Sequence, residues 1–164
     1  MNSTMQDKII MERAIELALI SEQEGNLPVG AVITFGGEII AEGRSKIWVP
    51  RPDATRHAEM ETLRSLDPDL WPLTTEMSLY TTLEPCLMCL GSILHHTVGR
   101  VVFGASDVLN GSSSVLTHLP PNLQEIFNHT QWMGPIMPDK CGQLYQRLMA
   151  ILEKEGGWNK NNEG

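Results

Sequence analysis

The sequence has few cysteines, no long apolar run and no internal repeat. Three cysteines among 164 residues are too few for a secreted disulfide framework or for a zinc site made of four cysteines. No apolar stretch approaches the roughly 18 residues that a membrane span requires. The first ten residues lack the basic start and apolar core of a signal peptide. These absences predict a cytoplasmic protein outside any membrane, with one domain over residues 1–155 and a C-terminal tail over 156–164.

Basic residues are also scarce. The chain has 12 Lys and Arg residues against 20 Asp and Glu residues, and its net charge is −8. Because basic side chains neutralise phosphates, this charge makes a nucleic-acid partner less expected. It does not exclude one, since net charge says little about local potential.

Hydrophobic periodicity predicts alternating helices and strands. A helix capped at Thr4 is expected to end before Gly25 and Pro28, and two strands are expected to form a hairpin across Gly36 and Gly37. Further strands are predicted at "EMSLYTTL", "GRVVFGA" and near "WMGPIM". The expected helices cover 57–65, 85–96, a short piece near "NLQEIF", and 139–155. This order predicts an α/β fold.

A Cys-x-x-Cys pair, Cys86 and Cys89, follows Pro85 in the stretch "YTTLEPCLMCLGS". The two cysteines share one face of the first turn of a predicted helix, where the helix dipole favours thiolates. They could therefore bind zinc. A redox dithiol is the alternative, although the enclosed residues, Leu87 and Met88, are not typical of thioredoxin-type pairs.

A third ligand is predicted 29 positions before Cys86, at His57 in "TRHAEME". Glu59 follows at i+2, so both residues can serve one site only beyond the N-terminal end of their helix. Three protein ligands with an open fourth position are typical of catalytic zinc, whereas structural zinc has four. A carboxylate such as Glu59 can then move the protons of a bound water.

His-x-Glu followed by Pro-Cys-x-x-Cys is the signature of zinc-dependent nucleobase deaminases. The segments "HAE" at 57–59 and "PCLMC" at 85–89 match it without substitution. The sequence therefore predicts hydrolytic deamination of an amino-substituted aromatic ring.

Between Leu27 and Val115 the chain resembles the cytidine-deaminase-like superfamily. The resemblance lies in "LPVGAVI", "DATRHAEM", "LYTTLEPCLMCLGSILHHTVGRVVFGASD" and "NGSSS". The similar branch contains tRNA adenosine deaminases, guanine deaminases and fungal-type cytosine deaminase. It implies a three-layer α/β/α sandwich with a central mixed five-stranded sheet, and a subunit that usually forms a homodimer.

The resemblance also implies roles for individual residues. His57, Cys86 and Cys89 would bind one Zn²⁺ per subunit, and Glu59 would shuttle protons between the attacking water, the ring and the departing ammonia. The backbone N–H of Cys86 would lie close to the reacting centre. The substrate-binding candidates are Val29, Ala31, Ser45, Asp107 and Trp158.

The sequence departs from this branch in two places. The base-holding asparagine of a Gly-x-Asn pattern is replaced by Ser45 in "GRS", and a hydroxyl has fewer hydrogen-bonding groups than an amide. The C-terminal stretch "MAILEKEGGWNKNNEG" is close to neutral, whereas tRNA-editing relatives end in a basic helix. Trp158 in this stretch could close a small pocket, or the stretch could be a disordered tail.

Three functions follow from these observations. The first is a deaminase of a small nucleobase-type heterocycle, favoured by the acidic charge and the neutral tail. The second is a tRNA-specific adenosine deaminase that forms inosine in an anticodon, favoured by the central segment. The third is a non-catalytic zinc module, which requires a fourth protein ligand such as Cys141 or His118.

Overall fold

The computed structural model describes residues 4–154. In chain order its α-helices and strands are α1 (Met5–Gln23), β1 (Gly30–Phe35), β2 (Glu38–Arg44), α2 (Ala58–Ser65), β3 (Ser78–Leu83), α3 (Leu87–His95), β4 (Arg100–Ala105), α4 (Pro121–Asn128), β5 (Gln131–Met133) and α5 (Pro138–Lys154). Two 3₁₀ helices cover Pro68–Glu76 and Ser112–Val115. The first of these, before β3, was not predicted from the sequence.

The five strands form one mixed sheet in the order β2-β1-β3-β4-β5. β1 pairs antiparallel with both β2 and β3, whereas β3–β4 and β4–β5 are parallel. Gly36 and Gly37 have φ angles of 59° and 89° and form the tight turn between β1 and β2, because glycine adopts positive φ without steric cost. The expected central mixed five-stranded sheet is confirmed.

Alternating side chains give the sheet an apolar core on each face. Val32, Tyr80 and Val102 pack with the buried residues of α1 and with Cys141 of α5. Their chain neighbours Ile33, Leu79 and Val101 pack on the other face, against residues of α2 and α3. Successive side chains of a strand point to opposite faces, so these strands require helices on both sides.

The N-terminus of α1 is tied to the sheet by a buried carboxylate. Thr4 and Asp7 form a capping box, as the sequence predicts for this helix start. Asp7 Oδ1 also accepts hydrogen bonds from Tyr80 Oη at 2.8 Å and from Arg100 Nη1 at 2.9 Å. These contacts lie at the beginning of β4, opposite the strand ends that lead to the cysteines.

Helix α3 begins later than predicted. Pro85 is not its first residue: Cys86 is the N-cap, in an extended conformation, and the helix starts at Leu87. Helix α2 likewise starts at Ala58, with His57 as its N-cap. Two ligand candidates are therefore N-cap residues. Among residues 4–154 no helix has the length and apolarity to cross a membrane.

Candidate active site

Three candidate ligands meet where β3 leads into α3, beside the N-terminus of α2. His57 Nδ1 lies 3.6 Å from Cys86 Sγ and 3.6 Å from Cys89 Sγ, and the two sulfurs are 3.7 Å apart. A tetrahedral zinc ion with ordinary Zn–S and Zn–N bonds requires S···S and S···N separations of about 3.7 and 3.5 Å. The three side chains therefore match the geometry of a zinc site.

The surroundings of the two thiols shift their pKa values in opposite directions. Hydrogen bonding with Cys89 lowers the pKa of Cys86 to about 4, against an opposing effect of burial, and His57 lowers it further. The same pairing, together with burial, raises the pKa of Cys89. Hydrogen bonding therefore favours the thiolate at Cys86 over that at Cys89. Binding of a metal ion displaces the second proton, because zinc binds thiolates.

His57, Cys86 and Cys89 are the only group of three or more potential ligands that lie close together within residues 4–154. Cys141 is buried against Gly104 of β4 instead, and His118 is exposed on the surface. Neither residue supplies a fourth ligand. With three protein ligands, the centre has the composition of catalytic rather than structural zinc.

Glu59 lies beside this group with its carboxylate buried. The residue is 3% exposed. Thr81 Oγ1 donates a hydrogen bond of 3.2 Å to Oε1, and Cys89 Sγ lies 3.5 Å from Oε2. Burial raises the pKa of Glu59, and the nearby His57 acts in the opposite direction. The hydrogen bond from Thr81 therefore holds the carboxylate in a fixed orientation beside Cys89.

A cavity of about 240 Å³ opens at His57, Glu59 and Cys86. Its size lies just below the usual range of pockets for drug-sized molecules, roughly 300–1,000 Å³, which suits a single heterocyclic ring. Most of its wall is apolar and includes two residues of α5. The lining residues are Leu27, Val29, Ser45, Ile47, His57, Ala58, Glu59, Leu83, Glu84, Cys86, Asp107, Asn110, Leu148 and Leu152.

The substrate-binding candidates separate into three groups. Val29, Ser45 and Asp107 line the cavity, and their role in substrate binding stays a prediction. Ala31 does not: it is fully buried inside β1, paired with Thr81 of β3 and packed under Thr62 of α2. The pleat of β1 turns this residue into the core. Trp158 lies outside the described residues.

Backbone hydrogen bonds fix Ser45 in the cavity wall. Its N–H donates to the carbonyl of Val29 at 3.0 Å, and its carbonyl accepts from Ser21 Oγ at 2.8 Å. Its hydroxyl makes no hydrogen bond with any other residue of the described chain. The position that carries asparagine in the resembled branch therefore presents a free hydroxyl to the cavity.

Glu84 holds the loop that forms the opposite wall. Its carboxylate accepts hydrogen bonds from the backbone N–H of Asp107 at 3.1 Å and of Ser113 at 2.8 Å. Asp107 in turn accepts from the N–H groups of Leu109 and Asn110, and from Tyr145 Oη at 3.0 Å. Asp107 thus lines the cavity and also caps the loop, the two roles that its sequence position allowed.

Several cavity residues carry no signature in the sequence. The contribution of Leu148 and Leu152 depends on how α5 packs, and that of Asn110 depends on the loop that Glu84 holds. Thr81 is one of two adjacent threonines in β3, and only the register of the strand shows that it reaches Glu59. The only sequence signal for the position of Thr81 was the alternation of side chains between the two faces of β3.

Comparison with known proteins shows the family to which this chain belongs. The family model of the cytidine and deoxycytidylate deaminase zinc-binding region matches residues 4–105, and the chain belongs to this family. The protein is accordingly a zinc-dependent deaminase, a hydrolase acting on C–N bonds of cyclic amidines. His57, Cys86 and Cys89 are placed for metal binding.

Several named deaminases are similar to this chain over most of its length. The chain is 35% identical to a tRNA-specific adenosine deaminase of Bacillus subtilis over 155 residues, 92% of each protein. It is 36% identical to the Haemophilus influenzae protein of that name, over 90% of this chain and 84% of the other. A solved structure from work on A-to-I editing by tRNA:A34 deaminases has a TM-score of 0.68 at 23% identity, covering 84% of this chain and 99% of that one. This last likeness concerns the fold.

Proposed function

We propose that this deaminase acts on an adenosine in a tRNA anticodon and converts it to inosine. The observation that carries the proposal is similarity over nearly the whole chain to the Bacillus subtilis and Haemophilus influenzae enzymes, both named tRNA-specific adenosine deaminases. The sequence alone favoured a free nucleobase-type substrate. The similarity reverses that order, because it extends beyond the residues that all zinc-dependent deaminases share.

The cavity supports a substrate that presents one ring. Its volume of about 240 Å³ accommodates a single base, and deaminases of polynucleotides act on bases that are turned out of their stack. The apolar wall formed by Leu27, Ile47 and Leu148 can pack on the faces of the ring. Ser45 offers a hydroxyl to the ring edge.

The chain's own residues would perform the proton transfers. When bound at His57, Cys86 and Cys89, zinc would lower the pKa of a bound water toward about 7. Glu59 would accept one proton from the attacking water and deliver it to the ring nitrogen. It would then accept the second proton from the hydroxyl now on the ring carbon and deliver it to the departing amine, as the C–N bond breaks and the carbonyl forms. Water and adenosine would thus give inosine and ammonia. Thr81 would hold the Glu59 carboxylate in position, and the backbone N–H of Cys86 would face the reacting centre.

Deamination of a small free heterocycle is the second candidate. Ser45 in place of an asparagine and the net charge of −8 support it. A free base needs no phosphate-binding surface, so an acidic enzyme suits it. The two candidates share the zinc site and differ only in what holds the ring.

A direct comparison of substrates tests the proposal. Zinc-loaded protein is incubated with an anticodon stem-loop containing adenosine, and inosine is measured by mass spectrometry of the digested RNA. In parallel, ammonia release is measured with free adenine, guanine, cytosine and their nucleosides. We expect inosine in the RNA and no ammonia from the free compounds. Ammonia from a free base, with no inosine in the RNA, would select the second candidate.

Three further expectations remain predictions: a homodimer, a cytoplasmic location, and one domain over residues 1–155. Light scattering of the zinc-loaded protein tests the first, with about twice the mass of the 18.2 kDa chain expected. A monomer would remove any role for a second subunit in RNA binding.

A further inference from the structure

Positive charge is concentrated in one part of this acidic chain. Five of its 12 basic residues lie between positions 44 and 64, with only three acidic residues among them. One of these three, Glu59, is buried in the active site. The surface formed by this segment is therefore positive, although the protein as a whole carries −8.

Three of these basic side chains share a single carboxylate. Arg56 Nη2 and Arg64 Nη1 each lie 2.8 Å from an oxygen of Glu61, and Lys46 Nζ lies 3.5 Å from the same carboxylate. Burial of Glu61 opposes the effect, but hydrogen bonds from both arginines and the charge of Lys46 lower its pKa. One negative charge thus faces three positive charges.

A second carboxylate, Asp53, extends the cluster to Arg51. Hydrogen bonds from Thr55 lower the pKa of Asp53, and the charges of Arg64 and Arg51 add to that effect. Arg51 is exposed, and the side chain of Arg64 is 49% exposed. We call Lys46, Arg51, Arg56 and Arg64 the basic ridge. Its four positive charges are balanced by only two negative charges.

Arg44 is not part of the basic ridge. Its Nε and Nη2 groups both donate hydrogen bonds to the carboxylate of Glu24, at 2.7 Å each. Arg44 and Glu24 thus form a one-to-one pair of opposite charges, whereas the Glu61 carboxylate is shared by three basic side chains. The excess charge therefore belongs to the four ridge residues.

Two members of the basic ridge are chain neighbours of residues that line the active-site cavity. Lys46 stands between Ser45 and Ile47, which both line the cavity, and Arg56 directly precedes His57. The backbone N–H of Lys46 donates to the carbonyl of Arg56 at 2.9 Å. The two ends of the loop are thus fixed together, and the positions of the charges are set relative to the zinc site.

We propose that the basic ridge binds backbone phosphates of the tRNA next to the deaminated adenosine. This inference rests on the proposed function and names the surface that holds the RNA. Arginine forks match phosphate geometry. Because the rest of the protein is acidic, the local positive charge would also orient the approaching polyanion with the cavity facing it.

The competing interpretation is a set of surface ion pairs that only stabilises the fold. Exposed ion pairs contribute little to stability, and that interpretation predicts no effect of the ridge on RNA affinity. The most exposed members, Arg51 and Arg64, are the residues to change. Arg56 and Lys46 are left intact, because they hold the loop next to the active site.

The experiment uses zinc-loaded full-length protein with Glu59→Ala, which can bind RNA without turnover. Dissociation constants for a tRNA anticodon stem-loop are measured by fluorescence anisotropy at several salt concentrations. Arg51→Gln with Arg64→Gln is compared with the unchanged ridge. Lys8→Gln is the matched control, since Lys8 is exposed on α1 next to Asp7, at the opposite ends of the strands.

We expect the double substitution to weaken binding at least tenfold near 0.1 M salt. The slope of log K against log salt should fall by about 1 for each phosphate that is no longer neutralised. The control should change neither quantity.

Equal affinity and slope in the double variant and the control would overturn the ridge inference. Absence of inosine with the unmodified enzyme, despite ridge-dependent RNA binding, would contradict the proposed function alone. Absence of any RNA binding would contradict both.

Discussion

Thr81 is predicted to support the reaction by orienting Glu59. Its hydroxyl lies 3.2 Å from Glu59 Oε1 and both residues are buried. Thr81→Val keeps the shape of the side chain and removes this one donor. Hydrogen bonds to charged groups contribute about 1.5–3 kcal/mol, which corresponds to a loss of roughly 10- to 100-fold if the bond holds the carboxylate in its reactive position. Thr81→Ser keeps the donor and is expected to retain most of the activity.

The assay measures kcat/KM for inosine formation, together with zinc content and the urea midpoint of each variant. Thr34→Val is the control, because Thr34 is also buried in the sheet and its hydroxyl has no hydrogen-bond partner within residues 4–154. Zinc content should stay at one ion per chain in all variants. If Thr81→Val and Thr34→Val had the same kcat/KM within twofold, Thr81 would have no positioning role.

Three further predictions concern the proton carrier, the loop and the helix cap. Glu59→Ala should retain zinc but lose roughly 10²- to 10⁴-fold in turnover; unchanged turnover would remove Glu59 from the reaction. Gly111→Ala would place a Cβ 2.5 Å from the Glu84 carboxyl carbon and should cost about 1–3 kcal/mol in urea unfolding, whereas Gly91→Ala meets open space and should cost nothing. Burial acts to raise the pKa of Asp7, but hydrogen bonds lower it well below its ordinary value. The ionised carboxylate therefore makes its full contribution to stability above about pH 4, and this contribution is lost as the pH falls further. Asp7→Asn should therefore cost about 3 kcal/mol at pH 7, and the difference from the wild type should shrink in acid; a difference independent of pH would contradict this account.

The metal site was predictable from sequence because its chemistry is local. Cys86 and Cys89 are three positions apart, and His57 and Glu59 are two apart, so each pair is fixed by its own helix start. The sheet is needed only to bring the N-termini of α2 and α3 next to each other. The alternation of strands and helices in the sequence already implied a sheet with helices packed on it.

The cavity wall was less predictable because it depends on packing between distant segments. Ala31 was expected in the cavity, but the pleat of β1 buries it beneath Thr62. Leu148 and Leu152 reach the cavity from a helix about 60 residues further along the chain than Cys86. Sequence periodicity predicts that helix but does not show which of its residues face the cavity.

The net charge of the chain does not show how charge is distributed over its surface. The total of −8 argued against nucleic acid. The fold nevertheless gathers Lys46, Arg51, Arg56 and Arg64 around only two carboxylates beside the cavity. Local potential depends on which residues become neighbours, and total charge carries no information about that.

The most direct test of the account is the position at which the enzyme changes a tRNA. Full-length tRNA with adenosine in the anticodon is incubated with zinc-loaded enzyme and then sequenced after reverse transcription, where inosine is copied as guanosine. We expect an adenosine-to-guanosine change at one anticodon position, absent with Glu59→Ala. An unchanged tRNA, from an enzyme that releases ammonia from a free base, would contradict it.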